Sequence, residues 1–281
     1  MTASALRDKA ERLRQLHHTG TPLILPNAWD AGSAVVFAAA GFPAIATSSA
    51  GIAFSAGHAD GERMPRDAMI EAVGRIAARV PVPVSADMEA GYGDTPDAVA
   101  ETVRGVIAAG AAGINIEDGL DGGGLRDTDD QLARLRATRA AARALGVPLV
   151  INARTDVFWQ QIGPAEQRLA LAVERLRAYR AAGADCLFVP GRMDLPTIKA
   201  LVEATDLPLN ILAGAGLPPI PELASVGVAR VTVGSGPMRA ALGTARAIAE
   251  ELAGPGTYER ILGVAIPYPE LNALFADGIQ G

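Results

Sequence analysis

The sequence predicts a (β/α)8 barrel, and three observations lead there. Eight short β-branched runs recur along the 281 residues, at 23–25, 44–47, 82–85, 113–116, 149–152, 186–189, 209–212 and 230–233. The stretches between them are rich in Ala, Leu, Arg and Glu, with apolar residues three and four apart, as in 128–145 and 167–182. That is the spacing of a helix with one buried stripe. The runs themselves are nearly continuous in apolar residues, as strands of a parallel sheet covered by helices require. A doubly wound open sheet is the competing arrangement. Its Gly-rich dinucleotide turn is missing after the first run, where the chain reads Pro26-Asn27-Ala28-Trp29-Asp30.

The elements follow in order. Residues 1–15 are charged and helical in pattern, with no apolar signal core. After the first run, Asp30 opens an Ala-rich helix and reads as its cap ahead of any role as a ligand. Gly41 stops that helix. The second run leads into Thr47-Ser48-Ser49-Ala50-Gly51, which is either an ordinary turn or a set of backbone N–H groups that could cradle a carboxylate. The third run passes into Asp87 and Glu89, and Thr95-Pro96 then starts a helix with proline in its first turn. The fourth ends in Glu117-Asp118, and the fifth in the stretch Asn152 to Asp156. Gly110, Gly146 and Gly183 are helix stops like Gly41. The last three runs end at Pro190, Asn210 and Gly234. No linker or shift in composition divides the chain, so residues 1–281 read as one barrel domain. Residues 240–281 form a C-terminal helical extension, broken by Gly254-Pro255-Gly256 and again at 267–269. Its apolar groups, such as Leu271, Leu274 and Phe275, are expected to pack on a neighbouring subunit.

Bulk properties narrow the function. A net charge of −6 and a pI near 5.2 give no electrostatic case for nucleic acid or an anionic membrane. No apolar run reaches eighteen residues, and the single cysteine, Cys186, rules out an internal disulfide and fits a reducing cytoplasm, the expected location.

Barrel enzymes place their chemistry at the C-terminal ends of the strands, and here those ends are rich in polar residues. Asp87, Glu89 and Glu117 each stand where an apolar run stops. Burying an unpaired charge is costly, so such carboxylates are not core residues. Converging from neighbouring strands, they suit a hard divalent ion such as Mg²⁺, with Mn²⁺ as the alternative. For Asp87 the competing role is a strand cap or salt-bridge partner. Arg154 must pair with something, either Asp156 or Glu117 or a substrate anion held bidentately. Absences count too. Neither Lys9 nor Lys199 stands at a strand end, which argues against a Schiff-base aldolase. Cys186 lies inside a strand and reads as structural, and only His58 occupies a plausible site loop, so no histidine metal site is expected.

Together, Thr47-Ser48-Ser49-Ala50-Gly51, Asp60, Ser85-Ala86-Asp87-Met88-Glu89-Ala90-Gly91-Tyr92-Gly93, Ile116-Glu117-Asp118, Asn152-Ala153-Arg154-Thr155-Asp156 and Asn210 resemble the isocitrate lyase / phosphoenolpyruvate mutase superfamily over essentially the whole chain. The resemblance implies a barrel with a helix-swapped C-terminus, a homotetramer built as a dimer of swapped dimers, and a Mg²⁺-dependent site for small 2-oxo or 2-hydroxy acids. It implies that Asp87 touches the metal directly and also faces the substrate, while Asp60, Glu89 and Glu117 act mainly through metal-bound waters. Ser48, Ser49 and Ala50 would hold the C1 carboxylate, Arg154 the distal anion, and Asn210 would complete the substrate site. Asp60 and Arg154 are the catalytic candidates.

Two departures matter. The family's lyases carry a Lys-Lys/Arg-Cys-Gly-His loop whose cysteine is the general acid. Here residues 118–127 contain neither cysteine nor histidine, and Glu89 replaces the second acid of the usual Asp-x-Asp. The phosphonate enzymes' loop asparagine and lysine are not evident either. A reaction whose leaving group needs no proton is therefore expected, such as loss of CO₂ from an oxaloacetate-like acid through a metal-stabilised enolate. The alternatives are phosphonopyruvate-type C–P chemistry and a (methyl)isocitrate-type cleavage with another acid. From a different class comes a 2-oxo acid binding protein without catalysis.

Overall fold

Pro26 divides the first barrel strand. In the computed structural model, which describes residues 2–276, β1 (Leu23–Leu25) and β2 (Asn27–Ala28) are two halves of one extended run. Proline has no N–H to give to a ladder, so regular pairing lapses there. That is why nine strands stand where the sequence predicts eight. Each half pairs with a different neighbour, β1 with β9 (Arg230–Thr232) and β2 with β3 (Ile45–Thr47). Between them run β4 (Val84–Asp87), β5 (Gly113–Glu117), β6 (Val150–Arg154), β7 (Cys186–Val189) and β8 (Leu209–Leu212), all parallel. The split strand thus closes the barrel. Asn27 stitches the seam: its Oδ1 accepts the N–H groups of Val233 and Gly234, both at 2.9 Å, and its Nδ2 donates to the Thr47 carbonyl at 2.7 Å.

The helices begin and end as their sequences require. After α1 (Ala3–Leu16), α2 (Ala31–Ala39) is capped by Asp30, whose carboxylate accepts the Ser33 N–H at 2.6 Å in a reciprocal capping box. Next come α3 (Ser49–Ser55), α4 (Arg66–Arg79), α5 (Pro96–Ala108, capped by Thr95), α6 (Thr128–Ala144), α7 (Arg168–Ala181), α8 (Leu195–Ala204) and α9 (Ile220–Ser225). Gly110 and Gly183 follow α5 and α7 with φ of 96° and 105°, a conformation that side chains disfavour.

The strands keep their two faces distinct. Ile114, Ile116, Ile151, Leu187, Ile211 and Val231 are buried, and Ile116 meets the Gly91–Val99 packing of α5 on the outside of the barrel. The alternate positions turn inward, and on β4, β5, β6 and β9 they include polar residues. Asn152 Nδ2 donates to Asn115 Oδ1 at 2.8 Å, Asn115 Nδ2 to Asp87 Oδ1 at 3.2 Å, and Arg230 reaches Ser85 across the barrel at 3.3 Å. Helix α1 closes the opposite end: Lys9 and Arg14 donate to the carbonyls of Val80 and Pro148, which precede β4 and β6.

Beyond β9 the chain continues through α10 (Gly236–Ala253), α11 (Glu259–Val264) and α12 (Tyr268–Ala276). Met238 is the one buried side chain of α10, and α11 and α12 bury none. Phe275 returns to the barrel, where its carbonyl accepts a bond from Arg79 at 3.2 Å. The part of the extension at 277–281 lies outside the described residues. Among the described residues no helix is long and apolar enough to cross a membrane.

Candidate active site

The C-terminal ends of the strands surround a cavity of about 510 Å³. Its lining includes Ser48, Ser49, Ala50, Asp60, Asp87, Glu89, Glu117 and Arg154, so eight of the nine site residues expected from sequence meet there. Asn210 does not line it. Two residues before the lining Leu212 on β8, it is fully buried, and its Oδ1 accepts from Thr232 at 3.3 Å.

Asp87 ends β4 and is held on both sides. Its Oδ2 accepts the Ser49 N–H at 3.0 Å and the Ser49 hydroxyl at 2.9 Å, and its own N–H donates to Thr47 Oγ1 at 2.9 Å. Ser49 is therefore committed to Asp87, and Ser48 caps α3 by accepting the Gly51 N–H at 3.1 Å. Glu89 is buried in a backbone of unusual shape. Glu62, Glu89 and Tyr92 all have positive φ, at 57°, 51° and 55°. Such conformations cost about 1–3 kcal/mol each for residues other than glycine and tend to cluster at functional sites. They interlock here: Glu62 N–H donates to Glu89 Oε2 at 2.7 Å, Tyr92 OH to Glu89 Oε1 at 2.9 Å, and Tyr92 N–H to Glu62 Oε1 at 2.7 Å.

Arg154 ends β6 and takes both intramolecular partners open to it. Nη1 lies 2.6 Å from Glu117, while Nε and Nη2 fork onto Asp156 at 2.6 and 3.1 Å. Its guanidinium carbon sits 5.6 Å from the Phe188 ring centre, which steadies the plane. Beneath this pair lies Asp118, fully buried, accepting from Asp156 N–H at 2.8 Å, Thr155 Oγ1 at 2.7 Å, Tyr179 OH at 2.5 Å and Arg175 at 3.1 Å. Asp118 therefore fixes the strand end that carries Arg154 and Asp156.

Crowding of like charge shows in the acidities. Burial, then Asp60, pushes the Glu89 carboxyl up to about 7, against the pull of the Tyr92 hydroxyl. Desolvation at the rim and the charge of Asp87 raise Asp60, and burial raises Glu117 well above the ordinary carboxyl range despite Arg154. A cation relieves such crowding. The donor set is all hard oxygen and fits a divalent ion of the Mg²⁺ type. Among the described residues, no three acidic, histidine or cysteine side chains close in tightly enough to hold an ion by themselves.

Glu62, Tyr92 and Asn115 were not among the sequence candidates. Asn115 carried a signal, a lone polar residue at the centre of an apolar run. Tyr92 stands inside the 85–93 motif but no role was read for it, and Glu62 carried no signal, because its place depends on how two loops meet.

The family model for phosphoenolpyruvate phosphomutase matches residues 13–253. The chain belongs to that family. It is thereby a member of the isocitrate lyase / phosphoenolpyruvate mutase superfamily, whose enzymes are lyases and mutases that work with a divalent metal ion. Three comparisons give the distances within it. A crystal structure of a Burkholderia cenocepacia protein described as a lyase or mutase is 40% identical, with a TM-score of 0.90, covering 97% of each chain. An oxaloacetate decarboxylase of Rhodopseudomonas palustris is 38% identical over 151 residues, which is 52% of this chain and 50% of that one. The structure of an oxaloacetate acetylhydrolase in complex with the product oxalate is 28% identical, with a TM-score of 0.84, covering 95% of this chain and 93% of that one.

Proposed function

We propose that the protein is a Mg²⁺-dependent lyase that breaks the bond to C3 of a small 2-oxo acid such as oxaloacetate, releasing CO₂ and the enolate of pyruvate. The observation that carries this reading is the single mouth where Asp60, Asp87, Glu89 and Glu117 face Arg154 and the Ser48–Ala50 turn, beneath a 118–127 loop with no cysteine or histidine. Asp87, Glu89 and Glu117 would hold the ion, Mg²⁺ or alternatively Mn²⁺. When bound, it supplies the positive charge that stabilises negative charge developing on the 2-oxo oxygen.

The chain's own residues do the rest. In the Ser48–Ala50 turn the Ser48 and Ser49 N–H groups already donate to the Ala28 carbonyl and Asp87, so the Ala50 N–H at the start of α3 would be the group that meets the C1 carboxylate. Arg154, braced by Glu117 and Asp156, orients the distal carboxylate. As the C3–C4 bond breaks, its electron pair passes into the enolate and CO₂ departs without a proton, so no thiol acid is required. Asp60, which lines the mouth and whose proton affinity is raised, would return a proton to C3. Both oxaloacetate-acting relatives support this choice of substrate. The mutase family model supports C–P cleavage of phosphonopyruvate as the second reading.

Formation of pyruvate from oxaloacetate, phosphonopyruvate and methylisocitrate, and of glyoxylate from isocitrate, with Mg²⁺ and with EDTA, tests the reading. Turnover of oxaloacetate that EDTA abolishes is expected. Turnover of phosphonopyruvate alone moves the assignment to C–P chemistry. Binding of oxaloacetate or phosphonopyruvate with turnover of none of the four makes the protein a 2-oxo acid binder. In cells the enzyme would act in the cytoplasm as a helix-swapped homotetramer.

A further inference from the structure

Beside the acidic mouth lies a second chamber of about 730 Å³, which shares the wall formed by Asp60, Trp159 and Ser235. Its chemistry is opposite to that of the mouth. Arg168, Arg192 and Arg239 border it, and Asp60 on the shared wall is the one carboxylate among its lining residues. None of the three arginines makes a salt bridge among the described residues, and Arg168 donates only to the Gly163 carbonyl, at 3.1 and 3.2 Å. Arg192 and Arg239 are exposed and Arg168 is half-buried, so their charges are free to meet an anion that enters the chamber. Phe54, Phe158 and Trp159 supply apolar walls.

The wall is built rather than incidental. Gly191 has φ of 123°, and a Cβ there would stand 2.7 Å from the Phe158 backbone. Only glycine lets the segment after β7 lie on Phe158 and Trp159. Arg192 then rests against Gly216, whose Cβ position lies 3.6 Å from its Cδ and Nε. The remaining walls are the segments after β8 and β9, the seventh and eighth strands of the barrel. Those are the segments where barrels frequently bind phosphate.

We infer that this chamber is an anion subsite for the far end of a 2-oxo acid longer than oxaloacetate, one whose C3 substituent is partly apolar and ends in a carboxylate or phosphate. The inference rests on the mouth being the 2-oxo acid site. Oxaloacetate would fill the mouth alone, and the chamber would select the acid actually preferred.

Calorimetric titration at saturating Mg²⁺ tests it with oxalate and with N-oxalyl derivatives of glycine, β-alanine and γ-aminobutyrate, which carry a terminal carboxylate on a lengthening arm that the enzyme cannot cleave. Each is compared with its terminal methyl ester, in the native protein and in the Arg192→Gln/Arg239→Gln variant. In the native protein, at least one extended acid should bind about tenfold or more tightly than its ester. The variant should lose that difference while binding oxalate unchanged. A terminal phosphonate binding better than the carboxylate would assign the chamber to phosphate-tailed acids. Oxalate binding with no preference for any acid over its ester, or a preference that survives in the variant, would overturn the subsite and leave the mouth intact. No oxalate binding to either protein would remove the reading of the mouth, and the subsite with it.

Discussion

Glu89 is the side chain most at odds with its surroundings. It is buried beside Asp60 and Asp87, and its carboxyl is raised from 4.5 to about 7. A carboxyl that binds its proton more tightly in the folded state than in the unfolded state destabilises the fold once it is ionised. The metal-free protein should therefore lose stability as pH rises from about 4.5 to about 7, and saturating Mg²⁺ should reduce the loss. Thermal melts across that window check this, and a metal-free Tm that climbs through it would contradict the assignment. Asn27 supplies a second test at this scale. Replacing it with alanine leaves the N–H groups of Val233 and Gly234 without their partner and should cost about 2 kcal/mol or more in a urea titration. Residues of the first kind are legible in a sequence: a carboxylate that ends an apolar run, as Asp87 and Glu117 do, has few structural reasons to be there. Ser49 shows the limit. Its spacing suggested an anion cradle, whereas its N–H and hydroxyl both serve Asp87, a pairing set by the β3–β4 register across 38 residues.

Among the elements, the 118–127 segment links the site to the outside. It leaves β5 at the buried Asp118, folds back through an isolated bridge between Gly119 and Leu125, and borders the cavity with Gly119, Leu120, Asp121, Gly122 and Arg126. Few contacts tie its tip: Asp121 pairs with Arg63 at 2.6 Å where both are exposed, and Gly122, Gly123 and Gly124 all take positive φ. The stretch 119–128 should act as a lid. Amide exchange at 120–125 is expected to slow on addition of oxalate with Mg²⁺, and equal exchange with and without it would rule the lid out. Its base is fixed, because a Cβ on Gly119 would fall 2.5 Å from Asp156 Oδ2. The order of strands and helices was readable because periodicity and glycine stops are local signals. The division of the first strand was not, because Pro26 matters only where two neighbouring strands seek the same backbone. The inward polar faces of β4, β5 and β6 were also missed, since each alternates with residues that look like core.

At the scale of the molecule, the barrel leaves its last elements largely unused. Leu252, Leu262 and Val264 are 50%, 65% and 61% exposed, and Tyr258, Ile266 and Tyr268 are exposed beside them. Apolar surface of that extent usually marks an interaction site. The expected cover is the same region of a second copy, as the family resemblance implies. A chain ending at Leu242 should be monomeric or insoluble by light scattering, while a soluble truncated tetramer would place the contact elsewhere.

The acidic mouth is proposed as the reacting centre of a metal-dependent lyase. Its most direct test is the rate of pyruvate release from the preferred acid by Asp87→Ala at saturating Mg²⁺, with circular dichroism as the check on folding. Removing the carboxylate relieves charge crowding and opens no apolar core, so the variant should fold and lose about 100-fold or more in kcat. A folded variant that keeps more than about half of the native rate would contradict it.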